Sequence, residues 1–241
     1  TYWSEDGHKT EVVTYSSGMK NGPYMKWNSD NYKIIDGQYT QNQKDKIWTM
    51  RYDDGTIKAT QSFSNGEKDG KWSWYRPDGI LEKEGTYKKS VQHGLWVSWA
   101  DLDMKKSEET FVNGVLDGEV VVWHTNGNKD REGIVRGKQK EGNWTYYNGD
   151  GSIDFKFDYG TGLERVRISE LEARDNIYYK IGKYRPYTGI VTESGGIKDY
   201  LLLGRFKSGK RDGQWVQWYR NGNKEVDGVY YRGKRHGEWS L

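Results

Sequence analysis

Large aromatic residues return along the chain at regular intervals, each set among glycines and charged residues. The stretch "KDGKWSWYRPDGILEKEGTY", residues 68–87, shows one full round of the pattern. Taking Gly70 as position zero, the position recurs every 24 residues as Gly22, Lys46, Gly70, Gly94, Gly118 and Gly142. After a step of 47 residues it resumes as Gly189, Gly213 and Gly237. Self-similarity at a fixed short period marks a stack of supersecondary units, each too small to bury its apolar face alone.

Other columns fill in the same register. Two residues on (+2) stand Tyr24, Trp48, Trp72, Trp96, Val120, Trp144, Val191, Trp215 and Trp239. At +5 stand Trp27, Arg51, Tyr75, Trp99, Trp123, Tyr147, Ser194 and Trp218, and at +17 Tyr15, Tyr39, Phe63, Tyr87, Phe111, Val135, Tyr159, Phe206 and Tyr230. Glycines such as Gly55, Gly79 and Gly127 at +9, and Gly66, Gly114 and Gly209 at +20, punctuate the runs. Runs such as "GKWSWYR" and "ILEKEGTYK" lack helical periodicity and are bounded by Asp-Gly or Asn-Gly, so each period predicts two strands and two tight turns. The expected fold is all-β: an elongated single-layer meander of antiparallel hairpins, with the +2 and +17 rings forming ladders and the zero-position glycines making room for them. Residues at +2 and +5 face opposite ways unless a bulge intervenes.

Composition reinforces a shallow, ordered fold. Only 33% of residues are apolar and 30% are charged, yet 12 Trp, 19 Tyr and 5 Phe supply large buriable area. A net charge of +3, with the signs interspersed, argues against a nucleic-acid footprint. The chain has no cysteine and no long apolar run, and it begins with Thr1. The start at Thr1, the absence of cysteine and the aromatic, polar surface leave the location open and lean toward a processed envelope or secreted protein.

The columns in "EGTYKKSVQHGLWVSW" (84–99), "SFSNGEKDGKWSWYRPDG" (62–79) and "RFKSGKRDGQWVQWYRNGNKEVDGVYYRGKRHGEW" (205–239) resemble the MORN repeat, in its bacterial 24-residue variant. "YRPYTGIV" (184–191) is similar to the opening of a fresh array in such proteins. The resemblance implies a MORN-type solenoid whose structural columns include Gly70, Trp72, Tyr75, Gly79, Tyr87, Gly94, Trp96, Trp99, Gly213, Trp215 and Trp218. It also implies a scaffold: MORN arrays are associated with protein assembly and sometimes with membrane lipids, and bacterial variants often carry an antitoxin label. Three regions are expected: a first array over 1–162, a connector over 163–185 and a second array over 186–241. Within the connector, "RVRIS" and "NIYYKI" read as strands, and "SELEARD" as a short helical turn begun by Ser169.

No catalytic constellation stands out. His8, His93, His124 and His236 lack metal-ligand spacing, and acid pairs such as Glu108–Glu109 and Asp53–Asp54 read as solvated charge. No phosphate loop or nucleophile elbow occurs, so neither an enzyme nor a cofactor is expected. The favoured function is a non-catalytic scaffold that binds a protein partner or a second copy of itself. Two alternatives are an envelope protein holding glycans or cationic head groups on exposed rings, and a protein associating with anionic lipid through residues such as Lys207, Lys210 and Arg211. Candidate interaction residues are Trp74, whose column varies between repeats, Tyr178, Tyr179, Arg185 and Tyr187 around the connector, and Trp239 in the terminal "HGEWSL".

Overall fold

The structure, a computed structural model, describes residues 1–194 and 201–240; Leu241 of the terminal segment lies outside the described residues. Strands β1 (Tyr2–Trp3), β2 (Lys9–Ser16), β3 (Met19–Trp27), β4 (Lys33–Thr40), β5 (Gln43–Arg51), β6 (Ile57–Ser64), β7 (Glu67–Tyr75), β8 (Leu81–Lys88), β9 (Val91–Asp101), β10 (Met104–Val112), β11 (Val115–Trp123), β12 (Lys129–Arg136), β13 (Gln139–Tyr147) and β14 (Ile153–Asp158) form one sheet whose order follows the chain. A second sheet contains β15 (Arg165–Arg167), β18 (Gly189–Glu193), β19 (Leu202–Lys207), β20 (Lys210–Arg211), β21 (Gly213–Trp218), β22 (Lys224–Tyr231) and β23 (Lys234–Ser240), while β16 (Leu171–Arg174) and β17 (Ile177–Lys180) pair with each other. The hairpin meander read from the repeat is therefore present, and β15 pairs with β18 in parallel. Two compact units result: Thr1–Gln139 with Tyr146–Ile153, and Lys140–Thr145 with Asp154–Leu241.

Each repeat is a long strand pair whose register slips at two fixed places. Between Gln61↔Trp72 and Phe63↔Lys68, Ser62 alone faces Asp69, Gly70 and Lys71, so the zero position sits on a bulge. Gly70 takes φ 98° there, and Lys46, in the same column, takes φ 59°. The zero position thus asks for a left-handed backbone, which glycine adopts at least cost. At the other end, Trp74↔Lys83 is followed by Tyr75↔Leu81, so Glu82 is the extra residue on the partner strand. The turns also divide by kind. Asn65 and Gly66 both have positive φ, as a two-residue hairpin requires, whereas at Asp78-Gly79 only the glycine does. There the Asp78 carboxylate accepts the Ile80 amide at 3.0 Å and Gly79 donates to the Arg76 carbonyl at 2.9 Å, making a wider turn.

The +2 and +17 rings do not form separate ladders; they interleave into one. Ring centroids lie 4.9 Å apart for Tyr39–Trp48, 5.3 Å for Phe63–Trp72, 5.0 Å for Trp72–Tyr87 and 5.1 Å for Tyr87–Trp96. Several are edge-to-face, the arrangement that suits the ring quadrupole, and each such pair contributes about 0.5–1.5 kcal/mol beyond area burial. Room for the indole comes from a glycine column at +15, not from the zero-position glycines expected to provide it. A Cβ on Gly37 would overlap the ring of Trp48, one on Gly85 that of Trp96, and one on Gly204 that of Trp215.

The connector holds a single 3-10 turn, Ile168–Glu170, entered from Arg167 rather than capped by Ser169. The Glu170 carboxylate accepts the Arg167 amide at 2.8 Å. Leu171–Arg174 of "SELEARD" form strand β16, because their backbone pairs with β17 across Glu172↔Tyr179 and Ala173↔Tyr178.

The glycine seat gives a direct test. Gly85→Ala drives a methyl group into the Trp96 ring, and overpacking of this kind costs roughly 1–3 kcal/mol. Urea unfolding should show that loss together with a changed near-ultraviolet dichroism of the indoles. An unchanged midpoint would remove the seat from the account of stability.

Candidate functional site

The two faces of the first unit differ in chemistry. On the ladder face the +2 residues Tyr24, Trp48, Trp72, Trp96 and Val120 are buried. Several rings of the ladder are covered by the protein's own cations from the position two before zero. Lys20 lies over Tyr39, Lys44 stands 4.4 Å from the Trp48 centroid, and Lys68 stands 4.7 Å from Trp72 and 4.8 Å from Tyr87. Burial against these rings lowers the pKa of Lys44 from its ordinary value. The second unit repeats the device with Lys140 over Trp144, Arg211 over Trp215 and Arg235 over Trp239. This basic column is visible in the sequence as Lys20, Lys44, Lys68, Lys140, Arg211 and Arg235, and a search for aromatics and glycines passes over it.

The +5 column lies on the opposite face. Because the bulge residue belongs to the neighbouring strand, alternation along the +5 strand itself is unbroken. Side-chain contacts agree: the Arg51 guanidinium reaches the Asp36 carboxylate, and Asp36 is the cross-strand partner of Met25 and Thr49 at +3. Trp27, Tyr75, Trp99, Trp123 and Tyr147 are half-buried, leaving part of each ring open to solvent. In the second unit the same column is Trp218, 4% exposed and 5.3 Å from the ring of Phe155.

The other sequence candidates fall in different settings. Trp74 is half-buried on the ladder face, 5.7 Å from Trp72 and 5.8 Å from Trp96. Tyr187 is a core residue, 4% exposed, with its hydroxyl 2.9 Å from the carbonyls of Glu164 and Ile190, and burial raises its pKa. Tyr178 packs against Phe206 at 4.7 Å, Tyr179 lies under the Arg174 guanidinium at 4.9 Å, and Arg185 is exposed. Trp239 is half-buried against Tyr230 at 4.9 Å. Tyr178, Tyr187 and Trp239 therefore join the packing of the second unit. Among the described residues no cluster of three or more His, Asp and Glu is arranged to hold a metal ion.

Comparison with known families matches residues 68–89 to the MORN repeat variant, the stretch that spans β7 and β8. The match supports a MORN repeat protein. No curated protein matches the chain.

One polar cluster on the +5 face ties a ring of that column to the sheet. The Tyr147 hydroxyl donates to Glu132, which also receives the Lys129 ammonium at 2.7 Å. The Lys129 ammonium first, and the Tyr147 hydroxyl second, hold the Glu132 carboxyl below the usual carboxylate range. A carboxyl depressed on folding stabilises the native state above its unfolded pKa, and that contribution is lost as pH falls through the folded value. The wild type should therefore lose melting temperature more steeply than Glu132→Gln on acidification below about pH 4.3, and the gap should shrink in high salt. Parallel curves for the two proteins would show that the cluster does not contribute.

Proposed function

We propose that this protein is a non-catalytic repeat scaffold that holds a protein partner on the +5 face of its first unit. The observation that carries the reading is the row of half-exposed rings at Trp27, Tyr75, Trp99, Trp123 and Tyr147, set on the 24-residue repeat of a hydrogen-bonded sheet with Arg51 between the first two. Tryptophan and tyrosine are the side chains that most often dominate protein interfaces, since each removes a large apolar area from water while losing little rotamer freedom. A sheet braced by register-fixing bulges has little ordering entropy left to lose on binding. The second unit supplies an internal precedent, because there the ring of the same column, Trp218, is covered by Phe155.

The unbroken 24-residue step through the first six copies supports a bacterial variant of the MORN repeat. A second copy of this chain is the nearest alternative occupant of the same face. The anionic-lipid alternative has less support, since Lys20, Lys44 and Lys68 are turned onto rings of the ladder.

The test is a double variant, Trp99→Ser with Trp123→Ser, compared with Lys44→Ala on the other face. Quantitative affinity isolation from the native source, checked by sedimentation velocity, should show a partner lost in the double variant and retained by Lys44→Ala. Retention by the double variant and loss from Lys44→Ala would overturn the assignment. A wild type that dimerises, with a monomeric double variant, would identify the partner as a second copy.

A further inference from the structure

We infer that a groove on the ladder face of the first unit, beside Trp74, is a saccharide-binding site. The inference goes beyond the scaffold reading, which concerns the row of +5 rings, and of that row only Trp99 also lines the groove. It begins with a break in one row of the repeat. Along the ladder face the +4 residue of each long strand pairs across to the +13 residue of the next, so Ala59, Trp74, Lys83, Ser98, Ser107 and Val122 are successive neighbours. After Trp74 and Lys83 the row falls to two serines, and the drop in side-chain size leaves a hollow. Its volume is about 550 Å³, within the range of small-molecule sites, and Trp74, Tyr87, Trp96, Ser98 and Ser107 all line it.

The repeat's own covering cation is also missing at this point. The position that places Lys44 and Lys68 over rings is occupied by Gln92, which lines the groove instead. Lys83 stands over Trp96 at 5.2 Å, and among the described residues no Lys or Arg lies over Trp74. Around this half-buried ring stand polar groups with capacity to spare. The Ser98 and Ser107 hydroxyls are 2.8 Å apart and bond to each other, yet each keeps further acceptor capacity. Glu82 and Lys106, each the extra residue of a bulge, line the groove with Gln92. Among the described residues none of these three side chains makes an ion pair or a hydrogen bond within the protein, so their acceptor, donor and amide are free to serve a ligand.

This combination suits a sugar ring. One face of a pyranose is a patch of C–H groups that stacks on an indole, whose face carries the negative end of the quadrupole. Its edge is a set of hydroxyls that both donate and accept, and the glutamate, lysine, amide and serine groups answer both demands. A cationic head group fits less well, because Lys83 and Lys106 outnumber Glu82 in the lining.

The experiment titrates the intact protein with chitin, cellulose and polygalacturonate hexasaccharides, and with choline chloride as the cationic comparison. Calorimetry and the indole N–H resonances supply the readouts. At least one hexasaccharide should bind and shift the Trp74 and Trp96 indoles, and Trp74→Ala and Ser98→Val should each weaken it by about tenfold or more. Ser98→Val keeps the fold in view, since Val122 holds the same repeat position natively, and its melting temperature should match the wild type. Failure of all three saccharides to bind, binding that survives both substitutions, or displacement by choline would each overturn the inference.

Discussion

An indole set against a glycine on the strand before it is the contact on which the repeat depends. At Trp48 over Gly37 and Trp96 over Gly85, the ring occupies the space a Cβ would need, and the +17 rings close on it from both sides. A sheet with so few small aliphatic residues has no deep interior, so the stabilising area must come from a few very large side chains held close to the backbone. That demand explains the rest of the period. The zero-position bulge resets the strand so that the +2 ring meets its glycine, and the basic residue two before zero covers the ring faces. Cation–π contacts of this sort contribute about 0.5–1 kcal/mol at exposed sites and more when water is excluded.

The two units put the same period to different uses. In the first, the ladder residues are buried while the +5 rings stay half-open, so the unit presents a firm surface rich in aromatic groups. In the second, Ile190, Val191, Leu203, Phe206 and Val216 are all 0% exposed, and Phe155, Phe157 and Tyr159 are buried as well. Lys224 there bridges Asp154 at 2.8 Å and Asp227 at 2.7 Å, a polar clasp beside Phe155. The second unit thus has a conventional core, and the first has a buried ladder on one face and half-open rings on the other. Binding capacity belongs where rings are firm but uncovered, which favours the first unit for both the scaffold surface and the Trp74 groove.

Much of this was legible in the residues. The 24-residue step, the turn glycines and the +2 and +17 rings lead to a hairpin meander, because strand pairing between neighbours is local and repeats with the chain. The glycine seats at +15 and the basic column before zero were also present as patterns, at Gly37, Gly85, Gly204 and Gly228 and at Lys20, Lys44 and Lys68. They escape notice because glycine reads as a turn signal and lysine as surface charge until the ring above or below is known. Trp74 stood out in the sequence as the one irregular aromatic of its stretch. Its setting depends on Ser98 and Ser107, which are ordinary residues until pairing places them side by side.

By itself the sequence determined the period, the strand and turn order, and which aromatics serve as repeat columns, since these follow from local backbone preference and nearest-neighbour pairing. Only the tertiary structure decided which side each column faces and which rings are covered. The side of the +5 column turns on which of two paired strands carries the extra residue of a bulge, Glu82 or its equivalents, and hydropathy does not record that choice. Covering is settled by contacts between residues far apart in the chain. Trp218 and Tyr75 occupy the same column, yet one is shut against Phe155 and the other is left half-open.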